Sequence, residues 1–340
     1  MGGRSFLTMA KAFPYHDRFF RWVFSRPDTA HGLVREYLPA DVVARLDLGT
    51  LEIWHHTHVA ESQRESRSDA VYRVRLVDGR RAWVYVLVEH KSGPDRPDRP
   101  VAAQLLRYLA ALWELHGSAG GGLPLPVVIP LVIHHGPRPW KLPTELAEMV
   151  EASGALAPFV PRLRYLLLDL RVTEDEQVRG DPPVRATLLA LRHVFDKDLR
   201  GRVVEILAEL RGYGDLDERS HWVRAVYEYL WRTAGRRMRG VDLVDVVARA
   251  FPGPEGEELM IRTPQTFIDE GIEKGKVAKA REDVIEVLEL RFGSVPSSVR
   301  ERIEGTEELS ALRRLHRSAV TTASLDAFTE ALESVASETR

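Results

Sequence analysis

The sequence predicts an α/β fold in which a mixed β-sheet is flanked by helices and followed by an all-helical C-terminal region. Two strongly apolar segments, 82–88 and 127–133, enclose the helix-patterned segment 101–116, and this strand–helix–strand order predicts a parallel crossover. A further strand-like segment, 68–77, precedes the first of them across a short polar turn, which favours an antiparallel pair. Beyond residue 183 the apolar residues recur at helical spacing, so we expect helices there.

The composition is that of an ordinary globular protein. The chain has 340 residues, enough for two or three compact units, with 44% hydrophobic and 29% charged residues. It has no cysteine, which excludes disulfides, thiolate zinc sites and a cysteine nucleophile. No apolar run approaches the ~20 residues that span a bilayer, and residues 1–7 lack the apolar stretch of a secretion signal. The sequence therefore predicts a cytoplasmic protein without a membrane partner.

Charge gives only a local indication of a nucleic-acid partner. The formal net charge of the chain is -2, so a general basic signature is missing. Between residues 61 and 110, basic side chains are in mild excess over acidic ones. Together with a bound divalent cation, that excess would suffice for a phosphate substrate without requiring one.

The first predicted elements are one or two helices over residues 16–37, with a break at Pro27. Asp17 stands where an N-cap or a first-turn acid of such a helix would stand. Residues 50–60 form the predicted first strand, which carries three histidines: His55, His56 and His58. Only the second and third share a face of a strand, and no acidic residue joins them at ligand spacing. A surface cluster is therefore favoured over a zinc site.

The turn between the two antiparallel strands decides which residues oppose each other. With a two-residue turn at 78–79, Asp69 would pair with Val88 and point to the face opposite Glu89. With a three-residue loop at 78–80, Asp69 would pair with Glu89. The second register also gives the two strands a wholly apolar common face, so we expect that register.

The end of the second strand, Glu89-His90-Lys91, carries the strongest chemical signal. Side chains alternate along a strand, so Glu89 and Lys91 share a face. A carboxylate can bind a divalent cation, and a lysine beside it can stabilise an attacking hydroxide or the charge that develops on a phosphate. Mg²⁺ takes one or two protein carboxylates, so Asp69 is the expected second ligand.

The loop 92–100 follows this strand end and is rich in proline and charge. Its Arg96 and Arg99 are candidates for contacting substrate phosphates, with an ordinary solvated connection as the alternative.

The helix over 101–116 carries Gln104, Arg107 and Tyr108 on one face. Because it follows the Glu89-x-Lys91 strand, Gln104 is a candidate site residue. The alternative is that Tyr108 belongs to the core and that Gln104 is its polar neighbour.

Two more strands are predicted, at 127–133 and, on the edge of the sheet, at 164–170. The first ends in Ile133-His134-His135-Gly136, where we favour a His135 satisfied by backbone over a His135 near the site. Changes of character near residues 178 and 262 predict three domains: 1–178, 179–262 and 263–340. The last includes a long helix with Gly271 and Gly275 four residues apart, for which we expect a hinge or self-association role.

Several of these residues together resemble a known nuclease core. Asp69, Glu89-His90-Lys91 and Gln104-x-x-x-Tyr108 resemble the PD-(D/E)XK superfamily, including the Gln-x-x-x-Tyr element of its RecB-like branch. More narrowly, the chain resembles the Rpn family of recombination-promoting nucleases, also labelled YhgA-like transposases. The segments that carry this resemblance are 16–21, 37–39, 68–69, 88–92, 105–108 and 133–136. Many members have Glu-His-Gln-Ser where this chain has Glu-His-Lys-Ser, and the lysine argues against an inactive site.

The resemblance implies a restriction-endonuclease-like core in 1–178, followed by a helical domain and a C-terminal tail that could form homo-oligomers. It implies a Mg²⁺-dependent DNA endonuclease of low sequence specificity, linked to recombination or mobile elements, with Mn²⁺ or Ca²⁺ as alternative metals. Asp69 and Glu89 would bind the metal, while Lys91 and Gln104 would activate and position water. The accessory candidates are Asp17, Arg107 and Tyr108.

Two other interpretations stay open. The chain could be a catalytically inactive DNA-binding or assembly module that keeps the nuclease fold, because a fold alone confers no chemistry. Alternatively, Glu89 and Lys91 form only a structural ion pair at a strand end.

Overall fold

The computed structural model of the chain describes residues 13–54, 70–78, 83–91, 100–151, 154–238, 240–306 and 308–338. The chain divides into two compact units, Met1–Met260 and Ile261–Arg340. The predicted boundary at 262 lies close to this division, whereas the first unit spans both of the first two predicted domains. The division into three domains, 1–178, 179–262 and 263–340, stays a prediction.

A five-stranded mixed sheet forms the centre of the first unit, with strand order β1-β2-β3-β4-β5. Its strands are β1 Leu46–Ile53, β2 Ala70–Leu76, β3 Trp83–Lys91, β4 Val127–His134 and β5 Leu166–Asp169. The first three strands pair antiparallel, and β3, β4 and β5 pair parallel. The mixed sheet, the central β3 and the edge position of β5 were predicted correctly.

The register of β2 and β3 is the one expected for a three-residue loop. Ala70 lies opposite Val88, Tyr72 opposite Val86 and Arg75 opposite Trp83. A two-residue turn would have moved each partner by one position and turned the side chains to the other face. Ala70, Tyr72 and Val74 are all buried, which agrees with the apolar face predicted for this register.

Helices cover both faces of the sheet. One face is covered by α1 Phe13–Phe24. The buried Tyr72 hydroxyl of the sheet donates a 2.8 Å hydrogen bond to the Phe24 carbonyl at the end of this helix. The next helices along the chain are α2 Pro27–Tyr37 and α3 Ala40–Val43. On the other face, α4 Val101–Ser118 packs Leu105 and Tyr108 into one core cluster with Val71 and Val132.

In the described part of the first unit, four further α-helices follow before a long helix begins. They are α5 Pro182–His193, α6 Leu199–Ala208, α7 Leu216–Ala234 and α8 Leu243–Ala250. Tyr229 of α7 stacks on Phe19 of α1 at 4.2 Å between ring centroids, and Trp222 meets Trp22 edge-on at 4.8 Å. These aromatic contacts join segments before and after residue 178, which is why the first unit is continuous across the predicted boundary.

The starts of two elements that carry candidate residues differ from the sequence prediction. β1 begins at Leu46, four residues before the predicted start, and His55, His56 and His58 lie outside the described residues. α1 begins at Phe13, so Asp17 lies in the second turn rather than at the N-cap or in the first turn. Pro14 accounts for the earlier start, because proline suits the first turn of a helix.

The second unit is helical and has its own core. The helix α9 Pro254–Phe292 is followed by α10 Ser297–Glu304, α11 Leu309–Thr321 and α12 Leu325–Glu338. Fully buried side chains of the second unit include Val284, Leu288, Leu312 and Phe328. Arg291 also donates to the Ala319 carbonyl at 2.6 Å, tying α9 to α11. Throughout the described part of the chain, no helix is both long and apolar enough to cross a bilayer.

Candidate functional site at the sheet edge

The candidate site lies where β3, β4 and β5 end side by side. The backbone register pairs Glu89 with Val132, Lys91 with His134, and His134 in turn with Asp169. The carboxyl ends of parallel strands meet at one edge, which is where open α/β sheets place their ligands. The predicted Glu89-x-Lys91 segment therefore belongs to the edge that the fold favours for a site.

The first turn of α4 packs on the same side of the sheet. Val101 and Ala102 share a core cluster with Val132, the register partner of Glu89. Residues paired across a sheet lie on the same face, so the positions of Glu89 and Lys91 belong to the α4 side. This arrangement follows from the β3–α4–β4 crossover, in which the helix begins after the strand end.

Gln104 and Tyr108 contact each other on α4. The Gln104 side-chain amide donates a 2.8 Å hydrogen bond to the Tyr108 hydroxyl. Tyr108 is only 3% exposed and is a core residue, as the alternative interpretation expected. Gln104 is half-buried and Arg107 is exposed. The contact limits the orientations of the Gln104 amide, which is the condition for a positioning role.

For several predicted site residues the structure does not describe the side chain. Asp69, Arg96 and Arg99 lie outside the described residues, and Glu89 and Lys91 are described through their backbone. Within the described part of the chain, no group of three or more His, Asp or Glu side chains could hold a metal ion. The metal assignment to Asp69 and Glu89 therefore stays a prediction.

Asp17 belongs to a different face from Gln104. It lies on α1, the helix that accepts the Tyr72 hydrogen bond, whereas the neighbouring Val71 packs towards α4. Because consecutive strand residues point to opposite faces, α1 and α4 are on opposite sides of the sheet. An accessory role for Asp17 would have to be exerted at the rim of the sheet, and it stays a prediction.

The two histidines at the end of β4 separate onto opposite faces. His134 is paired with Lys91, and its ring meets Trp140 edge-on at 5.2 Å. His135 lies instead against His16 of α1, at 5.0 Å between ring centroids, and stacks on Phe195. His134, which we did not select from the sequence, is therefore the histidine on the candidate side.

Trp140 and Asp169 also belong to this edge and were not selected from the sequence. The Asp169 carboxylate accepts the backbone N–H of Trp140 at 2.8 Å and that of Arg171 at 3.0 Å. The alternation of side chains along β4 would have identified His134, because Val132 and His134 share a face. The Asp169 contact depends on chain segments about 30 residues apart, and local patterns carry no signal for it.

A network beside this edge contains acidic residues with altered ionisation. His193 hydrogen-bonds Asp196 at 2.7 Å through Nδ1 and Asp175 at 2.9 Å through Nε2. Burial by itself opposes ionisation of Asp196, but hydrogen bonds from His193 and Arg171 outweigh it and lower its pKa. Arginine and histidine contacts occupy both carboxylates, so the network connects the segment after β5 to α5.

Comparison with known proteins gives one family and several named relatives. The profile of the family described as "Putative transposase, YhgA-like" matches residues 14–220. "Recombination-promoting nuclease RpnA" of Escherichia coli strain K12 is 29% identical over 247 residues, covering 70% of this chain and 78% of the relative. "Recombination-promoting nuclease RpnD" of Escherichia coli O157:H7 is 30% identical over 198 residues, covering 57% and 74%.

A further relative carries a different description. "Inactive recombination-promoting nuclease-like protein RpnE" of Escherichia coli strain K12 is 26% identical over 241 residues, covering 70% of this chain and 76% of the relative. No solved structure matches the chain.

Proposed function

This chain belongs to the YhgA-like transposase family, and from that premise we propose that it is a metal-dependent DNA endonuclease of low sequence specificity. Its role would be in recombination or in the biology of mobile elements, as the names of its nuclease relatives suggest. We place it in the cytoplasm and in the PD-(D/E)XK superfamily. The mixed sheet, in which a hairpin leads into a parallel crossover, supports the superfamily assignment.

The observation that carries the proposal is the strand register. Ala70 opposes Val88, so one further step in the same register would match Asp69 with Glu89. Two carboxylates from adjacent strands would then share one end of the sheet. The alternative register would have separated them onto opposite faces, which would have excluded a shared cation.

The residues at this end fit Mg²⁺ by their chemistry. Carboxylate oxygens are the hard ligands that Mg²⁺ prefers, and one or two of them suffice because the ion keeps several waters. Asp69 and Glu89 would hold the ion, with Mn²⁺ or Ca²⁺ as substitutes. A bound divalent cation supplies Lewis acidity at the scissile phosphate.

The remaining residues have proposed roles in handling water and charge. Lys91 would stabilise the attacking hydroxide and the negative charge that develops on the phosphate. Gln104, held by Tyr108, would orient the water. Arg96 and Arg99 would contact the DNA backbone, and the exposed Arg107 would support them.

Plasmid cleavage tests this assignment. We expect the wild-type protein to nick supercoiled plasmid in Mg²⁺ or Mn²⁺. Asp69→Ala and Lys91→Ala should each reduce nicking by at least about a hundredfold while leaving the protein folded. Matched controls are Asp41→Ala and Lys279→Ala, which alter exposed helix residues outside the sheet and should cut normally. Full cutting by both site variants would refute the site assignment.

The second candidate function is a catalytically inactive DNA-binding or assembly module. The observation in its favour is that one relative of similar coverage is named an inactive nuclease-like protein. The Lys91 of this chain, which restores the superfamily lysine, favours activity instead. DNA binding by a wild-type protein that cuts nothing in Mg²⁺, Mn²⁺ or Ca²⁺ would support the module.

A further inference from the structure

A small cavity lies beside the candidate site and is not explained by the proposed chemistry. It has a volume of about 240 Å³ and is lined by His134 and the loop 137–142. His134 is the register partner of Lys91, so the cavity adjoins the strand end that would bind the scissile phosphate. Among the described residues, the wall contains the cations Arg138 and Lys141 and no carboxylate, so these residues do not suit a metal ion.

The cavity is built on a firmly anchored loop. The Nε2–H of His134 donates to the Arg138 carbonyl at 2.7 Å, and Asp169 accepts the backbone N–H of Trp140 at 2.8 Å. The Tyr165 hydroxyl donates to the Pro143 carbonyl at 2.8 Å at the end of the loop. Prolines at 137, 139 and 143 further restrict the backbone. The wall is therefore formed before any ligand binds.

Two buried polar atoms of the wall residues have no hydrogen-bond partner in the described part of the chain. They are Nδ1 of His134, whose side chain is almost fully buried, and Nε1 of Trp140. His134 Nε2 donates to a carbonyl, so the unmatched Nδ1 is the second ring nitrogen, which the described residues leave without a partner. An unmatched buried acceptor and donor cost free energy, so the wall of the cavity contains hydrogen-bonding groups that the described residues do not use.

The chemistry of the wall fits one nucleotide. Trp140 offers a half-buried indole against which a base can stack. Arg138 and Lys141 are exposed and would meet the adjoining phosphates. The volume is sufficient for a single base and too small for a folded partner element. We propose that this cavity receives one nucleotide of the DNA strand next to the scissile phosphate.

The inference rests on the proposed function, so its test measures binding separately from cutting. A labelled short single-stranded DNA is titrated with the full chain in EDTA and followed by fluorescence anisotropy. Trp140→Ala should weaken binding about tenfold or more, and Trp140→Phe should weaken it less because the ring remains. The matched control is Trp231→Ala, which removes an indole that is 54% exposed on α7 and should bind normally.

A second measurement is independent of the folding of the Trp140 variants. The double variant Arg138→Ala/Lys141→Ala changes only exposed side chains, and Arg249→Ala is its control. If both cations contact phosphates, the slope of log Kd against log salt should fall by about 1.4 for single-stranded DNA.

The possible outcomes distinguish the two proposals. If the wild type cuts and binds DNA but neither Trp140→Ala nor the double variant changes binding or salt slope, the cavity inference is overturned and the nuclease proposal stands. If the wild type cuts DNA but does not bind it in EDTA, the inference also fails, because these contacts need no metal. A wild type that neither binds nor cuts DNA would overturn both.

Discussion

At the scale of single residues, the contact between Gln104 and Tyr108 connects the core to the candidate chemistry. Tyr108 is buried among the side chains under α4, and its hydroxyl accepts the Gln104 amide at 2.8 Å. A polar side chain held by a core residue keeps a defined direction, which a free glutamine on a helix surface does not. We therefore expect stability and activity to be coupled at this pair.

Tyr108→Phe should lower both stability and activity, and a control variant distinguishes the two effects. The loss of one hydrogen bond should lower the free energy of unfolding by about 1 kcal/mol. Plasmid nicking should fall as well, because Gln104 loses a fixed contact. The control Tyr227→Phe removes a similar 2.8 Å bond to the Val241 carbonyl, far along the chain in the helical part. Equal nicking by the two variants would show that the Gln104 contact has no role in the reaction.

The Asp196 carboxylate predicts a pH dependence of stability. Burial disfavours its ionised form, but hydrogen bonds from His193 and Arg171 outweigh burial, so its pKa in the folded protein is lowered. A lowered folded pKa stabilises the fold above the unfolded value of about 3.9, and this stabilisation is lost as pH falls through the folded pKa. The destabilisation caused by Asp196→Asn should therefore be large at about pH 7 and small at about pH 3.

Urea unfolding at the two pH values measures this difference. Asp245→Asn serves as the control, because Asp245 is exposed and its partner Arg249 is 3.8 Å away. An exposed pair at that distance contributes little, so its replacement should change stability by less than about 1 kcal/mol at either pH. An Asp196→Asn effect of the same size at both pH values would contradict the prediction.

At the scale of elements, the packing of α4 on the sheet sets the position of the candidate site. The helix was predicted closely, at 101–116 against Val101–Ser118, because its apolar residues recur at helical spacing. The β2–β3 register was also predicted, because only one turn length gives both strands an apolar common face. The contact of the loop after β4 with Asp169 could not be predicted, since Asp169 comes from β5.

Leu105→Ala tests how much this packing contributes. Leu105 is fully buried between α4 and the sheet, and its truncation should cost about 2–5 kcal/mol of unfolding free energy, the cavity included. The same substitution at Leu290, which is 79% exposed near the end of α9, should cost less than about 0.5 kcal/mol. Chemical denaturation of both variants gives the comparison, and similar losses would mean that α4 does not depend on this core.

At the scale of the whole molecule, the chain consists of two compact units with separate cores. In the first, the sheet is joined to the helices beyond residue 178 by the aromatic contacts of α1 with α7. The second has its own buried cluster around Leu288, Leu312 and Phe328. Self-association through the C-terminal helices, which we expected from the sequence, stays a prediction.

Separate cores predict separate unfolding. Phe328→Ala should cost about 3–5 kcal/mol and should remove hydrogen-exchange protection from residues 261–340 only. Phe20→Ala, at an equally buried position of α1, should affect only the first unit. Hydrogen exchange read by mass spectrometry assigns the loss to each segment. Loss of protection in both units from either substitution would show that they unfold together.

The sequence by itself determined the order of elements, the mixed sheet, the β2–β3 register and the family. These features depend on local sequence: side chains alternate along strands, apolar residues follow the helical period, and each family motif is a short continuous segment. The sheet and its central hairpin could therefore be predicted from the spacing of apolar residues in the sequence.

Only the tertiary structure decided what each strand-end histidine contacts. Alternation along β4 puts His134 and His135 on opposite faces, but only the structure shows that one lies beside the Lys91 position and the other against His16. It also joined Asp169 to Trp140 and so formed the cavity next to the candidate site. The physical reason is that these contacts join segments distant in the chain, and their geometry depends on how the parallel strands align at the sheet edge.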